Sequence, residues 1–403
     1  MRAVVVGGSI VGCAAAHALR CAGWDVLVFE RSASRLETRG QGLVLPAALI
    51  DKLRERGYVA PEMPTIQIRQ RRWVVKDADE YLGRLLWEQN FAVTAVSWAA
   101  LFAELRQRVP DGAYRPGSRV VGLRRDSDGT LAVELENRDS VQADLVVAAD
   151  GYRSDLRAYL FSQVQLSFSG YVIWRGWVDE GHPTLGPVDD YARHMTTFGF
   201  RRGHGNLWVI PGHSSSLRGH RQVAWNVYDP LDSAPFRDEL FDASGALHSR
   251  PPVECSPAHI AYLKELAQAS LPRAVADAIH ATPAPIMTPV FDLRTPSLVC
   301  EGTVLLGDAG MVLRPVTGSG ATKGLEDAMA LGDALAVEHD VDRALQRFDD
   351  ERRPASESLV RLGETMGDAL VTNAPDWTAM SAADMADWHS SMMQGQRWYA
   401  LGD

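Results

Sequence analysis

The chain opens on an apolar run, Ala3–Val6, that breaks at Gly7-Gly8-Ser9. Apolar residues then recur at helical spacing from Ile10 to about Ala22, and a second apolar run, Asp25–Glu30, follows. The pattern predicts strand, tight turn, helix and strand. Ala47–Arg56 has helical spacing and ends at Gly57, Thr65–Lys76 and Arg84–Gln89 read as strands, and Trp98–Val109 reads as a helix closed by Pro110-Asp111-Gly112. Arg119–Arg125 and Thr130–Glu136 flank Asp126-Ser127-Asp128-Gly129, a hairpin signal. Val141–Ala149 predicts one buried strand running into Asp150-Gly151.

From about Gln163 the pattern changes to alternating, aromatic-rich stretches: Tyr171–Val178, Ala192–Phe200, Asn206–Ile210 and Gln222–Tyr228. These predict an antiparallel sheet in a second domain. Helical stretches follow at Ala258–Ala269 and Leu271–His280, then a strand at Gly302–Leu306 and long helices at Gly318–His339 and Val341–Asp368. The expected fold class is α/β (α+β mixed). Residues 1–162 form the first part of a nucleotide domain, 163–285 an inserted sheet domain, 286–368 the second part of the nucleotide domain, and 369–403 a helical tail.

Composition narrows the classes. With 46% hydrophobic and 23% charged residues over 403 positions, the chain is an ordinary globular protein. A net charge of −10 offers no field for a polyanion, so no nucleic-acid partner is expected. The apolar runs are strand-sized, so no membrane span is expected, and Met1 stands so close to the first strand that a cytoplasmic protein without a leader is expected. Cys13, Cys21, Cys255 and Cys300 form no CxxC or Cys/His ligand group, so they read as buried reduced thiols, with no metal.

The opening turn carries the first candidate chemistry. A dinucleotide site needs a turn tight enough to bring helix-terminal N–H groups against a pyrophosphate. Gly7 serves the turn, Gly8, Ser9, Ile10 and Val11 line it, and Gly12 lets the helix pack on the strand. Ser9 stands where a middle glycine is usual. Glu30 closes the second strand, where a carboxylate accepts from a ribose hydroxyl pair and would repel a 2′-phosphate. Taken alone, the turn fits NAD or FAD.

Two later segments narrow that choice. Asp144–Arg157, with Asp150-Gly151 at its centre, resembles the Asp-Gly motif of the class A FAD-dependent aromatic monooxygenases. Gly307-Asp308-Ala309-Gly310, followed by Pro315, Gly318, Gly320 and Glu326-Asp327-Ala328, resembles their Gly-Asp motif, in the family's order. The details are most similar to the 2,6-dihydroxypyridine 3-hydroxylase group: Gly7-Gly8-Ser9, Ser97-Trp98, Tyr171-Val172-Ile173-Trp174-Arg175-Gly176, and Gly307–Lys323 with its Arg314-Pro315. Met311, where many members have histidine, and Trp98, where many have arginine, depart from the wider family and suit that group.

The resemblance implies a para-hydroxybenzoate hydroxylase-like fold and an FAD-dependent monooxygenase. NADH or NADPH would bind transiently as reductant, and O₂ and a small electron-rich aromatic or hydroxypyridine-like substrate would react through a C4a-hydroperoxyflavin. It implies cofactor contacts at Gly7–Gly12, Glu30, Arg31, Val120, Asp150, Asp308, Pro315, Thr317, Gly318, Ser319, Gly320 and Ala321. In the family the Asp308 position accepts from a ribityl hydroxyl. Thr317–Ala321 opens a helix whose N-terminal N–H groups would face the flavin pyrimidine edge.

Ring chemistry is less legible. His213 is a candidate base, against the plain reading of a surface-turn histidine, and Arg314 is a candidate for holding an anionic substrate or flavin. Tyr171, Trp174 and Trp225 are candidates for an aromatic pocket, against ordinary core, and Arg175 is expected as an internal ion-pair partner. The Trp- and Met-rich stretch from Ala374 is expected to pack over the nucleotide domain, cap the pocket or form a homodimer contact. Competing readings are a flavin-dependent halogenase, suggested by Asn206–Pro211 with one Trp missing, an epoxidase, and a non-catalytic FAD-binding regulator.

Overall fold

The computed structural model describes residues 1–33, 36, 42–125, 130–201, 203–231, 237–241 and 255–401. The opening pattern becomes β1 (Arg2–Val6), α1 (Ile10–Cys21) and β2 (Asp25–Glu30). They join β6 (Tyr114–Pro116), β10 (Leu145–Ala148), β16 (Val299–Cys300) and β17 (Thr303–Leu305) in a sheet of order β16-β17-β10-β1-β2-β6, parallel except at the β16–β17 edge. The chain leaves β1 for β2 on one side and returns as β10 on the other. The strand order therefore reverses at β1, the kind of crevice where open α/β sheets bind ligands. Val4 and Val5 are wholly buried, as a strand covered on both faces requires. Of the cysteines, Cys13 is buried, but Cys21 is exposed at the end of α1.

The expected strand Val141–Ala149 is two strands. β9 (Ser140–Ala143) pairs with β8 (Leu131–Leu135), which pairs with β7 (Val120–Arg125), in a separate three-stranded sheet, while β10 enters the parallel sheet. Asp144 separates them: its carboxylate accepts the Arg2 backbone N–H at 2.7 Å, so the chain changes sheets there. The turn expected at 126–129 lies outside the described residues.

The second sheet is larger than residues 163–285. Its order is β15-β11-β14-β13-β12-β4-β5-β3. β11 (Ser167–Asp179), β12 (His194–Phe200), β13 (Gly203–Ile210) and β14 (Gln222–Pro230) are joined by β3 (Gly42–Pro46), β4 (Ile66–Val75), β5 (Arg84–Ser97) and β15 (Ile286–Asp292). Nor is it purely antiparallel, because β12 runs parallel to β4. The reason is burial: Ile68, Trp73, Val75, Val93 and Ala95 on β4 and β5 share one apolar layer with Tyr171, Trp208 and Tyr228. After β3 come α2 (Ala47–Glu55) and, beyond β5, α3 (Trp98–Gln107); α4 (Asp155–Leu160) follows β10.

Each face of this sheet has its own cover. Beyond α5 (Arg237–Leu240), α6 (Pro257–Ser270) and α7 (Arg273–Ala281) bury Leu263, Ala267, Val275 and Ile279 against Trp174, Trp225 and Val227. α8 (Gly320–Val337) lies on α1 in the nucleotide-domain core, and α9 (Val341–Gly367) packs on α8. The tail, with α10 (Ala382–Met393), covers the other face of the sheet through Trp377, Met385, Met392 and Trp398. Among the described residues no helix is long and apolar enough to cross a membrane.

Candidate active site

The three sequence motifs end three adjacent parallel strands. Gly7 N–H donates to the Phe29 carbonyl at 2.8 Å, Ala149 N–H to Val6 at 2.7 Å, and Leu306 N–H to Ala148 at 2.9 Å. Asp150-Gly151 and Gly307-Asp308 therefore stand beside the Gly7 turn at one edge of the sheet. The turn leaves no room for side chains. A Cβ on Gly12 would lie 1.8 Å from the Gly7 carbonyl oxygen, and one on Gly7, at φ +99°, would lie 2.3 Å from that of Ala149. Gly8 is held by the Tyr114 hydroxyl, which donates to its carbonyl at 3.0 Å.

The groups left over suit a dinucleotide. Ser9 is the N-cap of α1, yet its side chain caps nothing, so the first-turn N–H groups face the crevice unsatisfied by the helix itself. Glu30 is buried; its carboxylate accepts Gly8 N–H and Ser32 N–H, both at 2.8 Å. A carboxylate has about four acceptor sites, so a diol remains within its capacity. Arg31 is exposed beside it, and Val120 is buried at the start of β7.

Asp150 accepts Asp155 N–H at 3.0 Å through one oxygen, while the other is buried with no partner, and burial raises its pKa. Arg157, 5% exposed, ties two turns together: it donates to the Tyr152 carbonyl at 2.6 Å and to the Ala309 carbonyl at 3.1 Å. Asp308 is exposed at the crevice, and the protein packed around it raises its pKa against the pull of Lys323 and Arg157. Lys323, unassigned in the sequence reading, is wholly buried and donates to the Gly307 carbonyl at 2.9 Å and to Asp327 at 2.8 Å. Its i,i+4 spacing from Asp327 was visible in the sequence.

α8 opens at Gly320, two residues later than the Gly318 expected, after a short 3-10 turn at Pro315–Thr317. Gly318 takes φ +65°, where a side chain would be strained, and a Cβ on Gly320 would meet nothing within 4 Å. Thr317 and Ser319 are wholly buried, Pro315 and Ala321 half-buried. The tail reaches this loop: Trp398 Nε1 donates to the Thr317 carbonyl at 2.7 Å and the Tyr399 hydroxyl to that of Gly318 at 3.2 Å. A free edge at Gly320, an unpartnered Asp150 oxygen and an uncapped helix start together fit FAD lying along the crevice.

The three candidates for ring chemistry do not form one cluster. His213 is exposed in a turn closed by Gly212 N–H to the Ser215 carbonyl, with no hydrogen bond to a described residue. Arg314 is 8% exposed and committed: it donates to both Asp292 oxygens, at 2.8–3.1 Å, and to Asp368 at 2.8 Å. Burial opposes its charge, but the two carboxylates outweigh that and raise its pKa. Tyr171 lies 6.0 Å below the Arg314 guanidinium, measured to the ring centroid, wholly buried with an unpartnered hydroxyl. Burial raises its pKa. Arg175 departs from the ion pair expected of it: among the described residues it donates to Thr288 at 3.0 Å and meets no carboxylate. Trp174 and Trp225 belong to the opposite, helix-covered face of the sheet, and Trp225 donates to Thr282 at 2.8 Å.

Residues 1–227 match the FAD binding domain family, and 168–292 match an FAD binding domain-like family. The chain belongs to the FAD binding domain family, among the class A flavoprotein aromatic monooxygenases. It is 30% identical to 2,6-dihydroxypyridine 3-monooxygenase of Paenarthrobacter nicotinovorans, over 86% of each chain. The solved 2,6-dihydroxypyridine-3-hydroxylase from Arthrobacter nicotinovorans shares the fold at TM-score 0.81, with 24% identity over 93% of each chain. Klebsiella pneumoniae HpxO complexed with FAD and uric acid shares it at 0.74, with 22% identity over 98% of this chain and 93% of that one.

Proposed function

We propose that the protein hydroxylates a small phenolic or hydroxypyridine-like ring in a chamber between the second sheet and the tail. One observation carries this reading: Trp398 binds the opening of α8 while its ring lies in the aromatic layer of the sheet, so the flavin-facing loop and an aromatic wall are adjacent. The named activities of the relatives, on dihydroxypyridine, urate and salicylate, support a small aromatic substrate.

The cofactor set is the one read from sequence. Gly7–Gly12 hold the pyrophosphate, Glu30 with Arg31 the ribose side, Val120 and Asp150 the adenosine end, Asp308 the ribityl chain, and Pro315 with Thr317–Ala321 the flavin ring. The chemistry FAD supplies when bound is two-electron reduction by NADH or NADPH and activation of O₂, one atom entering the ring and the other leaving as water. The chain itself positions the ring and excludes water. Arg314, saturated by Asp292 and Asp368, acts as a positioning residue for the loop before α8. Tyr171 offers the substrate an unpartnered hydroxyl.

The test is NAD(P)H oxidation by the purified FAD-bound protein against a panel of phenols and hydroxypyridines, with ¹⁸O₂ and mass spectrometry of products. Substrate-stimulated oxidation with one labelled oxygen in the ring is the expected result. Stimulation by no aromatic compound overturns the reading. His213→Ala, changing only an exposed turn, is expected to leave coupling unchanged.

A further inference from the structure

The second sheet buries a cation for which the described residues provide no counter-ion. Arg71, on β4, is 3% exposed. Its Nε donates to Thr197 Oγ1 at 2.7 Å; that hydroxyl passes to Asn206 at 2.7 Å, and Asn206 to Asn226 at 3.1 Å. The polar rail ends in amides, not in a carboxylate. Nη1 is buried with no partner, and among the described residues Nη2 makes no hydrogen bond and Arg71 forms no ion pair. Aromatic rings surround it instead: the guanidinium carbon lies 4.3 Å from the Trp73 ring centroid and 5.5 Å from those of Phe91 and Trp398.

Elementary electrostatics makes this costly. A buried charge is ordinarily paired, because the interior cannot replace its hydration. Ring faces attract a guanidinium but offer no acceptor to its outer N–H groups. Nor do the described surroundings supply an anion. Among the described residues the titratable groups facing Arg71 are His204, His389 and Tyr228; burial, and then the Arg71 charge, hold both histidines neutral, and burial keeps the tyrosine protonated. His389 Nε2 is likewise buried without a partner. The free edge of Arg71 is the Nη1/Nη2 pair, the fork that takes a carboxylate through two parallel bonds.

Position gives the edge a use. Trp398 stacks its wall against Arg71 and donates through Nε1 to the Thr317 carbonyl, so this cation lies one ring away from the loop that opens α8. We propose that Arg71 is the specificity-determining residue of the substrate chamber, and that the substrate is an aromatic or heteroaromatic carboxylate whose acid group docks on its Nη1/Nη2 edge. Trp73, Phe91 and Trp398 line the seat. The proposal rests on the aromatic-hydroxylase reading and narrows it to ring acids.

The test uses the FAD-bound protein and three acid–amide pairs of one shape: salicylate and salicylamide, 4-hydroxybenzoate and 4-hydroxybenzamide, 6-hydroxynicotinate and 6-hydroxynicotinamide. Binding is read by tryptophan fluorescence and by Tm. In at least one pair the acid is expected to bind about tenfold or more tighter than its amide. Arg71→Met should bring that ratio to about one and leave the ligand-free Tm equal to or above that of the parent, because it removes an unpaired buried charge. Arg71→Lys should keep part of the preference. Three results each overturn the proposal: no acid outbinding its amide in any pair, a preference retained in Arg71→Met, or a ligand-free Tm several degrees lower in Arg71→Met. Acids that bind without stimulating NAD(P)H oxidation would instead count against the hydroxylase reading alone.

Discussion

The Lys323 ammonium, wholly buried in α8, donates to the Gly307 carbonyl oxygen at 2.9 Å, sixteen residues away in sequence. It also pairs with Asp327, which accepts Gly307 N–H at 3.1 Å and Arg352 Nε at 2.9 Å. Both backbone groups of Gly307 are thus fixed by α8, and Asp308 is carried with them into the crevice.

Lys323→Met removes the cation but leaves Asp327 buried beside Arg352. Breaking such a pair from one side costs about 3–5 kcal/mol. The expected outcome is a urea midpoint lowered accordingly, with FAD lost on gel filtration through displacement of the Asp308 turn. A loss below about 1 kcal/mol with FAD retained would show that the clamp does not hold the turn.

Trp398→Phe keeps a ring in the sheet-facing layer and removes the 2.7 Å bond to the Thr317 carbonyl. A single neutral hydrogen bond is worth about 1 kcal/mol, so the fold should persist. The seal between the tail and the α8 loop should loosen, and water entry should divert reduced flavin to peroxide. Peroxide formed per NAD(P)H consumed is therefore expected to rise. An unchanged ratio would relieve Trp398 of that role.

His204 is 1% exposed, its ring stacked on Tyr228 at 4.6 Å and its Nδ1 3.2 Å from the Leu370 carbonyl. Burial, and then the charge of Arg71, push its pKa from 6.5 down to about 3. Between those values the unfolded chain holds a proton that the native protein does not. The stability His204 contributes is therefore complete above pH 6.5 and is lost as pH falls toward 3, with a slope of up to about 1.4 kcal/mol per pH unit. His204→Phe keeps the stacking and should flatten the pH dependence of unfolding by that slope between pH 4 and 6. Equal slopes in the two proteins would contradict a neutral buried imidazole.

Much of this protein was legible along the chain. The β1–α1–β2 unit, the turn at Gly7 and the acid at Glu30 are local features: a strand, a turn and a helix reveal themselves in the spacing of apolar residues and in glycines that a tight backbone demands. The Asp150 and Gly307-Asp308 motifs were readable for the same reason, since each is a short turn with its own residue requirements. Partner choice was not. Periodicity says which face of Ile66–Val75 is apolar, not that β4 would lie parallel to β12 or that the tail would cover that face. Arg314 looked available for an anion until Asp292 and Asp368, 22 and 54 residues away, took its donors. Arg69, Arg71 and Arg72 stand close together in the sequence, and only the packing of Trp73, Phe91 and Trp398 makes Arg71 a buried cation with no ion pair among the described residues. Burial and charge pairing arise between segments distant in sequence, so the availability of a side chain for chemistry is settled by the packing and not by the local pattern.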